Sequence, residues 1–248
     1  GLTMEGAEQY YDSIQFADYT HALSKAPIIK AQHPDYEIFK TGIHAQRGVS
    51  CADCHMPYVS EGGVKHSSHH IRSPLASMNN TCQVCHRETE EDLRNTVYQR
   101  QRSADQIRTL AEKELATAHI EAQFAWEKGA TEAQMENILQ LLRQSQWRWD
   151  YAVASHGASF HAPVEFQRIL AQGLDRAHKA RFEISKVLAQ LGHIGEVPMP
   201  DISTKEKAQA YIGLDIEKEK ANKKEFLDTV VPKWLETAKA NNHLVSKK

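Results

Sequence analysis

Two short stretches carry residues whose types and spacing point to definite chemistry: Cys-Ala-Asp-Cys-His at 51–55 and Cys-Gln-Val-Cys-His at 82–86. All four cysteines of the protein lie in them. Two thiols set two residues apart, with an imidazole directly after, suit a single porphyrin. The thiols add across its two vinyl groups, and the histidine is held beneath the ring, where it can bind iron. On this reading Cys51 and Cys54 tether one haem with His55 as its proximal ligand, and Cys82 and Cys85 tether a second with His86. The competing use of two such pairs is a four-cysteine zinc site. However, 27 residues separate Cys54 from Cys82, beyond the roughly 15–20 usual for that site, and zinc gives no reason for a histidine after both pairs. A disulfide pair or a redox dithiol is the remaining use of such thiols.

Iron held by one histidine takes a second axial ligand if the haem is to be six-coordinate, and in electron carriers that ligand is often another histidine. The chain has 14 histidines, and several crowd around the two motifs. His44 lies just before the first, and His66, His69 and His70 lie between the two. His156 and His161 share the link SHGASFHAP at 155–163. His33 precedes Pro34, which disfavours helix at the histidine and can open one after it. That predicts a loop-to-helix junction from which His33 can be presented into a cavity.

The elements that must position these residues are mainly helical. Hydrophobic residues make up 41% of the 248, so covalently held porphyrins would add apolar mass to the core. Net charge is −2, which gives no support to a nucleic-acid partner or a polybasic membrane mode. No apolar run approaches the 18 or so residues that span a bilayer. The opening GLTMEGAEQYY has neither a basic n-region nor an apolar h-region. Because c-type haem is attached after export, the expectation is a removed signal or a piece of a longer chain.

The pattern predicts a helix over 5–26, interrupted at Pro27, and a long one over 88–128 ended by Gly129. A second runs from the Thr131/Gln134 capping box to about Ser155, and Pro163 opens a third as its first residue. Phe166, Leu170, Gly173, Ala177, Ala180, Ile184, Val187 and Leu191 form a heptad seam along the third, for packing within the chain or against a second copy. Gly192 ends it. A short helix capped by Ser203 ends at Gly213. A charged helix over about 215–241 is kinked or interrupted by Pro232. Two regions follow: 1–87, haem-binding, with the two motifs and a distal loop, and 88–248, long helices for packing and dimerisation.

The blocks GAEQYYDSIQFADYT, KAPIIKAQHPDYE, GIHAQRGVSCADCHMP, HHIRSP, TCQVCH, WRWDYAVASHG, HAPVEF and PDISTKEKAQ, in this order from residue 5 to about 213, resemble the C-terminal half of the ammonia-forming pentahaem cytochrome c nitrite reductases. The resemblance implies a mainly α, multihaem c-type cytochrome fold with long C-terminal helices and almost no sheet. It implies a periplasmic homodimer joined through those helices, fed by a membrane-anchored or soluble multihaem cytochrome, that reduces nitrite to ammonium in six electrons. The family's catalytic haem is held by a CxxCK motif, and no such motif is present in these residues. The chain is therefore expected to be the C-terminal part of such an enzyme, lacking the N-terminal haem segment. The alternative is a stand-alone two-haem electron-transfer cytochrome.

The resemblance also implies roles. His161 is the distal ligand of the haem on Cys51, Cys54 and His55, and His44 that of the haem on Cys82, Cys85 and His86. His69, matched through Ile71 and Pro74, ligates a haem whose attachment site is not in this sequence, although counting forward from Cys51 selects His70 instead. Gln32 by its side-chain oxygen and Lys30 by its carbonyl bind calcium, a hard ion suited to oxygen donors. His33 stands over the distal face of the catalytic haem as the catalytic histidine.

Overall fold

Residues 3–244 are described by a computed structural model, and helices carry most of them. In chain order the elements are α1 (Met4–Ser13), β1 (Tyr19–Thr20), β2 (Pro27–Ile28), α2 (Asp35–Phe39), α3 (Ile43–Gln46) and α4 (Cys51–His55), then β3 (Tyr58–Glu61) and β4 (Val64–Ser67). Two 3-10 turns, Pro74–Ala76 and Cys82–Val84, lead into α5 (Glu90–Glu127), α6 (Glu132–Val153), α7 (Ala158–His161), α8 (Pro163–Gln190), α9 (Lys205–Tyr211) and α10 (Ile216–Ala240). β1 pairs antiparallel with β2, and β3 with β4. The second hairpin turns on Gly62 and Gly63, both at positive φ (57° and 81°), as a two-residue connection between twisted strands demands.

The chain forms two compact units, one ending at Val197 and one beginning at Pro198. In the first, α5, α6 and α8 pack together around small residues. Ala118, Ala122 and Ala125 of α5 meet Ile138 and Leu142 of α6 and Ala177, Ala180 and Ile184 of α8 in one buried cluster. Seven of the eight seam residues of α8, Phe166 to Val187, are buried within this unit, so the heptad seam is spent on the interior. Gly173 allows the closest approach: a Cβ there would lie 3.3 Å from Cβ of Arg148 and 3.4 Å from the carbonyl of Ser145. The Ser145 hydroxyl donates to the Gly173 carbonyl across the same contact, at 2.8 Å.

Local signals set the ends of these helices. Thr131 and Gln134 form the expected capping box at the start of α6. Gly129 and Gly192 adopt positive φ just past α5 and α8, a conformation open to glycine without a Cβ penalty. Pro163 opens α8.

Three expectations need correcting. The helix over 5–26 ends at Ser13. Buried Arg143 of α6 takes the Asp12 carboxylate (2.8 Å) and the carbonyls of Phe16 (2.7 Å) and Pro27 (2.8 Å), which requires the chain to loop around the guanidinium. Tertiary bonding here overrides helical periodicity. In the second unit, Thr204 rather than Ser203 caps α9, its hydroxyl accepting from the Lys207 N–H at 3.3 Å. Ser203 instead donates to Asp201, through its N–H at 3.0 Å and its hydroxyl at 2.6 Å. Of the two expectations for Pro232, a kink or an interruption, the interruption is corrected: α10 runs through it from Ile216 to Ala240. Among the described residues no helix is long and apolar enough to cross a membrane.

The first segment of the chain is tied to α6 from one end to the other. Buried Arg148 pairs with Glu8 of α1, and the Trp147 indole donates to the Met4 carbonyl at 3.1 Å. At the end of α6 the Ser155 hydroxyl bonds to Asp35 of α2 at 3.2 Å. These ties fix the loop between β2 and α2, which carries Lys30, Gln32 and His33.

Candidate haem-binding site

The first cysteine motif is a single turn of helix. The Ser50 hydroxyl accepts from the Asp53 N–H, and the Asp53 carboxylate accepts from the Ser50 N–H at 2.7 Å, a reciprocal cap. Those bonds, the backbone one first, hold the Asp53 carboxyl below its usual range. With α4 nucleated in this way, Cys51, Cys54 and His55 are set on one turn. The second motif is a 3-10 turn, with the His86 N–H bonded to the Cys82 carbonyl at 2.9 Å. Its approach is shaped by Thr81, whose hydroxyl reaches the carbonyls of Pro74 and Ser77 at 3.1 Å, and by Arg94 of α5, which holds the Leu75 carbonyl at 3.3 Å.

All four thiols are free. Burial, then the neighbouring Cys82 and Asp53, pushes the Cys54 thiol up. Among the described residues no three His, Cys, Asp or Glu side chains converge as a metal-ion set.

The histidines, by contrast, are brought together in twos. His55 faces His161 with ring centres 6.3 Å apart and planes at 76°. His44 faces His86 with ring centres 6.3 Å apart and planes at 69°. A metal–imidazole bond of about 2.0–2.1 Å, plus about 1.1 Å from nitrogen to ring centre, puts two rings sharing one metal about 6.3 Å apart. Both pairs therefore stand at the separation of two axial ligands of one iron.

Their surroundings suit that role. His55 Nδ1 lies 3.0 Å from the Arg72 carbonyl, a bond that requires the proton on Nδ1 and leaves the Nε2 lone pair for metal. A Glu88 carboxylate oxygen sits 3.6 Å from His86 Nδ1. Burial, more than any neighbouring charge, lowers the pKa of both His161 and His44, which favours the neutral, metal-binding form. His161 Nδ1 is buried without a hydrogen-bond partner on the side of the ring that packs against Gly157. The residues present thus fit two covalently held haems, each between two imidazoles.

Aromatic rings and glycines define the seats of His161 and His44. Phe39 meets His161 edge-on at 5.6 Å, and Phe160 stacks on His44 at 5.7 Å with planes 28° apart. A Cβ on Gly157 would overlap the His161 ring, and one on Gly42 would overlap the His161 carbonyl.

The remaining residues picked out from the sequence lie apart from these pairs. His69 and His70 are exposed after β4, and His70 rather than His69 lines a small cleft beside Cys54 and His55. His33 is exposed at the junction before α2, with φ of 49°, and its ring centre is 5.8 Å from that of His156. Lys30 and Gln32 are exposed on a backbone pinned by two carboxylates. Asp18 accepts the Lys30 N–H at 2.7 Å and Asp150 the Ala31 N–H at 2.6 Å. Burial raises the pKa of Asp150 against the lowering effect of that N–H. Asp18, Asp150, Phe39, Phe160, Gly42 and Gly157 escaped the sequence reading, which had no local pattern by which to find them.

Fold and histidine pairs define a mainly helical, multihaem c-type cytochrome. Across residues 1–244 the sequence matches the family model for cytochrome c552, and the chain belongs to that family. It is 68% identical over 244 residues to the cytochrome c-552 of Bacteroides fragilis, covering 98% of this chain and 50% of that protein. It is 65% identical over 248 residues to the cytochrome c-552 of Porphyromonas gingivalis, covering 100% of this chain and again 50% of the relative. Among solved structures it is similar to a cytochrome c nitrite reductase from Desulfovibrio desulfuricans, described as a catalytic subunit with two calcium sites. That match has a TM-score of 0.71 and 33% identity over 79% of this chain and 45% of that one. The chain thus shares the fold of that reductase over most of its own length, and it spans about half the length of the curated relatives it matches.

Proposed function

We propose that these residues are the C-terminal part of a periplasmic, ammonia-forming cytochrome c nitrite reductase, and that they hold two electron-relay haems of it. The observation that carries the reading is the pairing of His55 with His161 and of His44 with His86, both at 6.3 Å. Held in this way, a haem would have no open coordination position at its iron, so these imidazole pairs would supply single-electron relay sites and not nitrite-binding ones. The reduction site therefore lies on a haem attached outside these residues, and half-length coverage of the relatives supports a longer chain.

Within the relay, α4 and the turn at Cys82–Val84 fix the thiols and proximal histidines, and the Arg72 carbonyl fixes the tautomer of His55. The short helices α3 and α7 deliver the distal pair. His33 is read as the distal group at the reduction site. Breaking each N–O bond of nitrite requires its oxygen to leave protonated, and an imidazole ring nitrogen is suited to hand over that proton near neutral pH. Lys30 and Gln32 supply a carbonyl and an amide oxygen to calcium. Two oxygens are too few for its usual six to eight, so further ligands come from elsewhere in the whole protein. His69 reaches a further haem of that protein. Residues 1–87 form the haem-binding region, and 88–248 the helical packing region, which also contributes His161; the homodimer contact is made by faces of the long helices other than the buried α8 seam.

The test is the full-length holoprotein with His161→Ala or His44→Ala. Each variant is expected to turn one low-spin haem high-spin in its absorption and magnetic spectra, with haem per chain unchanged. Fully low-spin variants would contradict the ligand assignment.

A further inference from the structure

The distal ligands of the two haems are parts of one small assembly. α7 is only four residues long, Ala158–His161, yet it touches both sites. Its last residue, His161, faces His55. The residue before it, Phe160, lays its ring on His44, the distal histidine of the other pair, with centres 5.7 Å apart and planes 28° apart. Phe160 is itself held from α5, whose Arg100 guanidinium sits 5.6 Å from its ring centre. Gly42, the residue from which α3 and His44 start, approaches the His161 carbonyl so closely that a Cβ would overlap it. The two short helices are thus locked by backbone contact and by a ring face.

Building on the bis-histidine reading above, we propose that Phe160 is a positioning residue for His44. It sets the plane of that imidazole, so that one turn of helix supplies the ligand of one haem and the orienting wall of the other. In a low-spin ferric haem the angle between the two axial imidazole planes sets the spread of the g-values, and planes near perpendicular give the widest spread. The His44 and His86 planes stand at 69°. A flat ring stacked on His44 opposes its rotation, whereas an aliphatic side chain of similar bulk fills the space without fixing a plane.

The experiment is electron paramagnetic resonance on the full-length holoprotein, with haem per chain counted on every sample. His44→Ala and His161→Ala first identify, by loss, the low-spin signal of each pair. Phe160→Leu is then expected to move the g-values of the His44–His86 signal and to leave the His55–His161 signal in place, at unchanged haem content. Phe160→Tyr, which keeps the ring, is expected to restore the wild-type spectrum. If Phe160→Leu does not accumulate, Phe160→Met serves the same comparison. Wild-type g-values in the aliphatic variant, or an equal shift in Phe160→Tyr, would overturn the proposal. If His44→Ala leaves every haem low-spin, the bis-histidine reading falls and this proposal with it. If His44→Ala converts one haem while the aliphatic variant changes nothing, only the positioning role falls.

Discussion

The cysteine motifs were legible because their chemistry is written along the chain. Two thiols and an imidazole within five residues need only one turn of backbone, and Ser50 and Asp53 supply that turn's cap locally. What surrounds them could not be read the same way. Phe160 stacks on a histidine 116 positions earlier in the chain, and Asp150 accepts from Ala31 across 119 positions. Such contacts leave no periodicity or spacing behind. His33 lies between these cases. The proline after it marked the junction, but the left-handed backbone at φ 49° became visible only in the structure. A non-glycine residue held in that region costs on the order of 1–3 kcal/mol and often marks function. If His33 delivers protons to the leaving oxygen, His33→Ala in the full-length enzyme should lower nitrite turnover by roughly 100-fold or more, the usual range for losing such a group. Haem content and the low-spin spectra should be unchanged. Turnover within twofold of wild type would remove His33 from the catalytic machinery.

The helices were legible from their ends and their apolar faces. Gly129, the Thr131/Gln134 box, Pro163 and Gly192 all act where the local pattern puts them. The pattern misled at residues 14–26, where a guanidinium from α6 organises the loop. Element packing also places histidines outside these two pairs. On α5, His119 is buried, its ring stacked on His21 at 3.8 Å and its Nδ1 2.8 Å from the Ser24 hydroxyl. Burial, above all, lowers its pKa to about 3, and burial lowers that of His21 in the same sense. The unfolded chain therefore takes up a proton below the ordinary histidine value of about 6.5, which the folded state refuses until about pH 3. The stability contributed is complete above about pH 6.5 and lost as pH falls across that window, with a slope of up to roughly 1.4 kcal/mol per pH unit. Denaturant unfolding of His119→Gln between pH 7 and 4 should show a shallower acid loss than the wild type. An identical slope would mean that His119 does not control it.

At the scale of the molecule, a mainly helical scaffold with two small hairpins holds short, irregular pieces that carry the chemistry. Three of the long helices, α5, α6 and α8, bury small residues against one another. Their ends and flanks grip the loops that bear the cysteines and histidines. Fold class was legible because long amphipathic helices announce themselves. The β3–β4 hairpin was not, because its strands are exposed and only the Gly62–Gly63 turn marks it. The central claim is that these residues are a relay segment of a longer, multihaem nitrite-reducing enzyme. The most direct measurement is the intact mass of the protein isolated from its organism, with haem per chain counted as the pyridine haemochrome. The account predicts five haems on a chain about twice this length, in keeping with the half-length coverage of the relatives. Two haems on a chain of 248 residues would contradict it and make the protein an electron-transfer cytochrome.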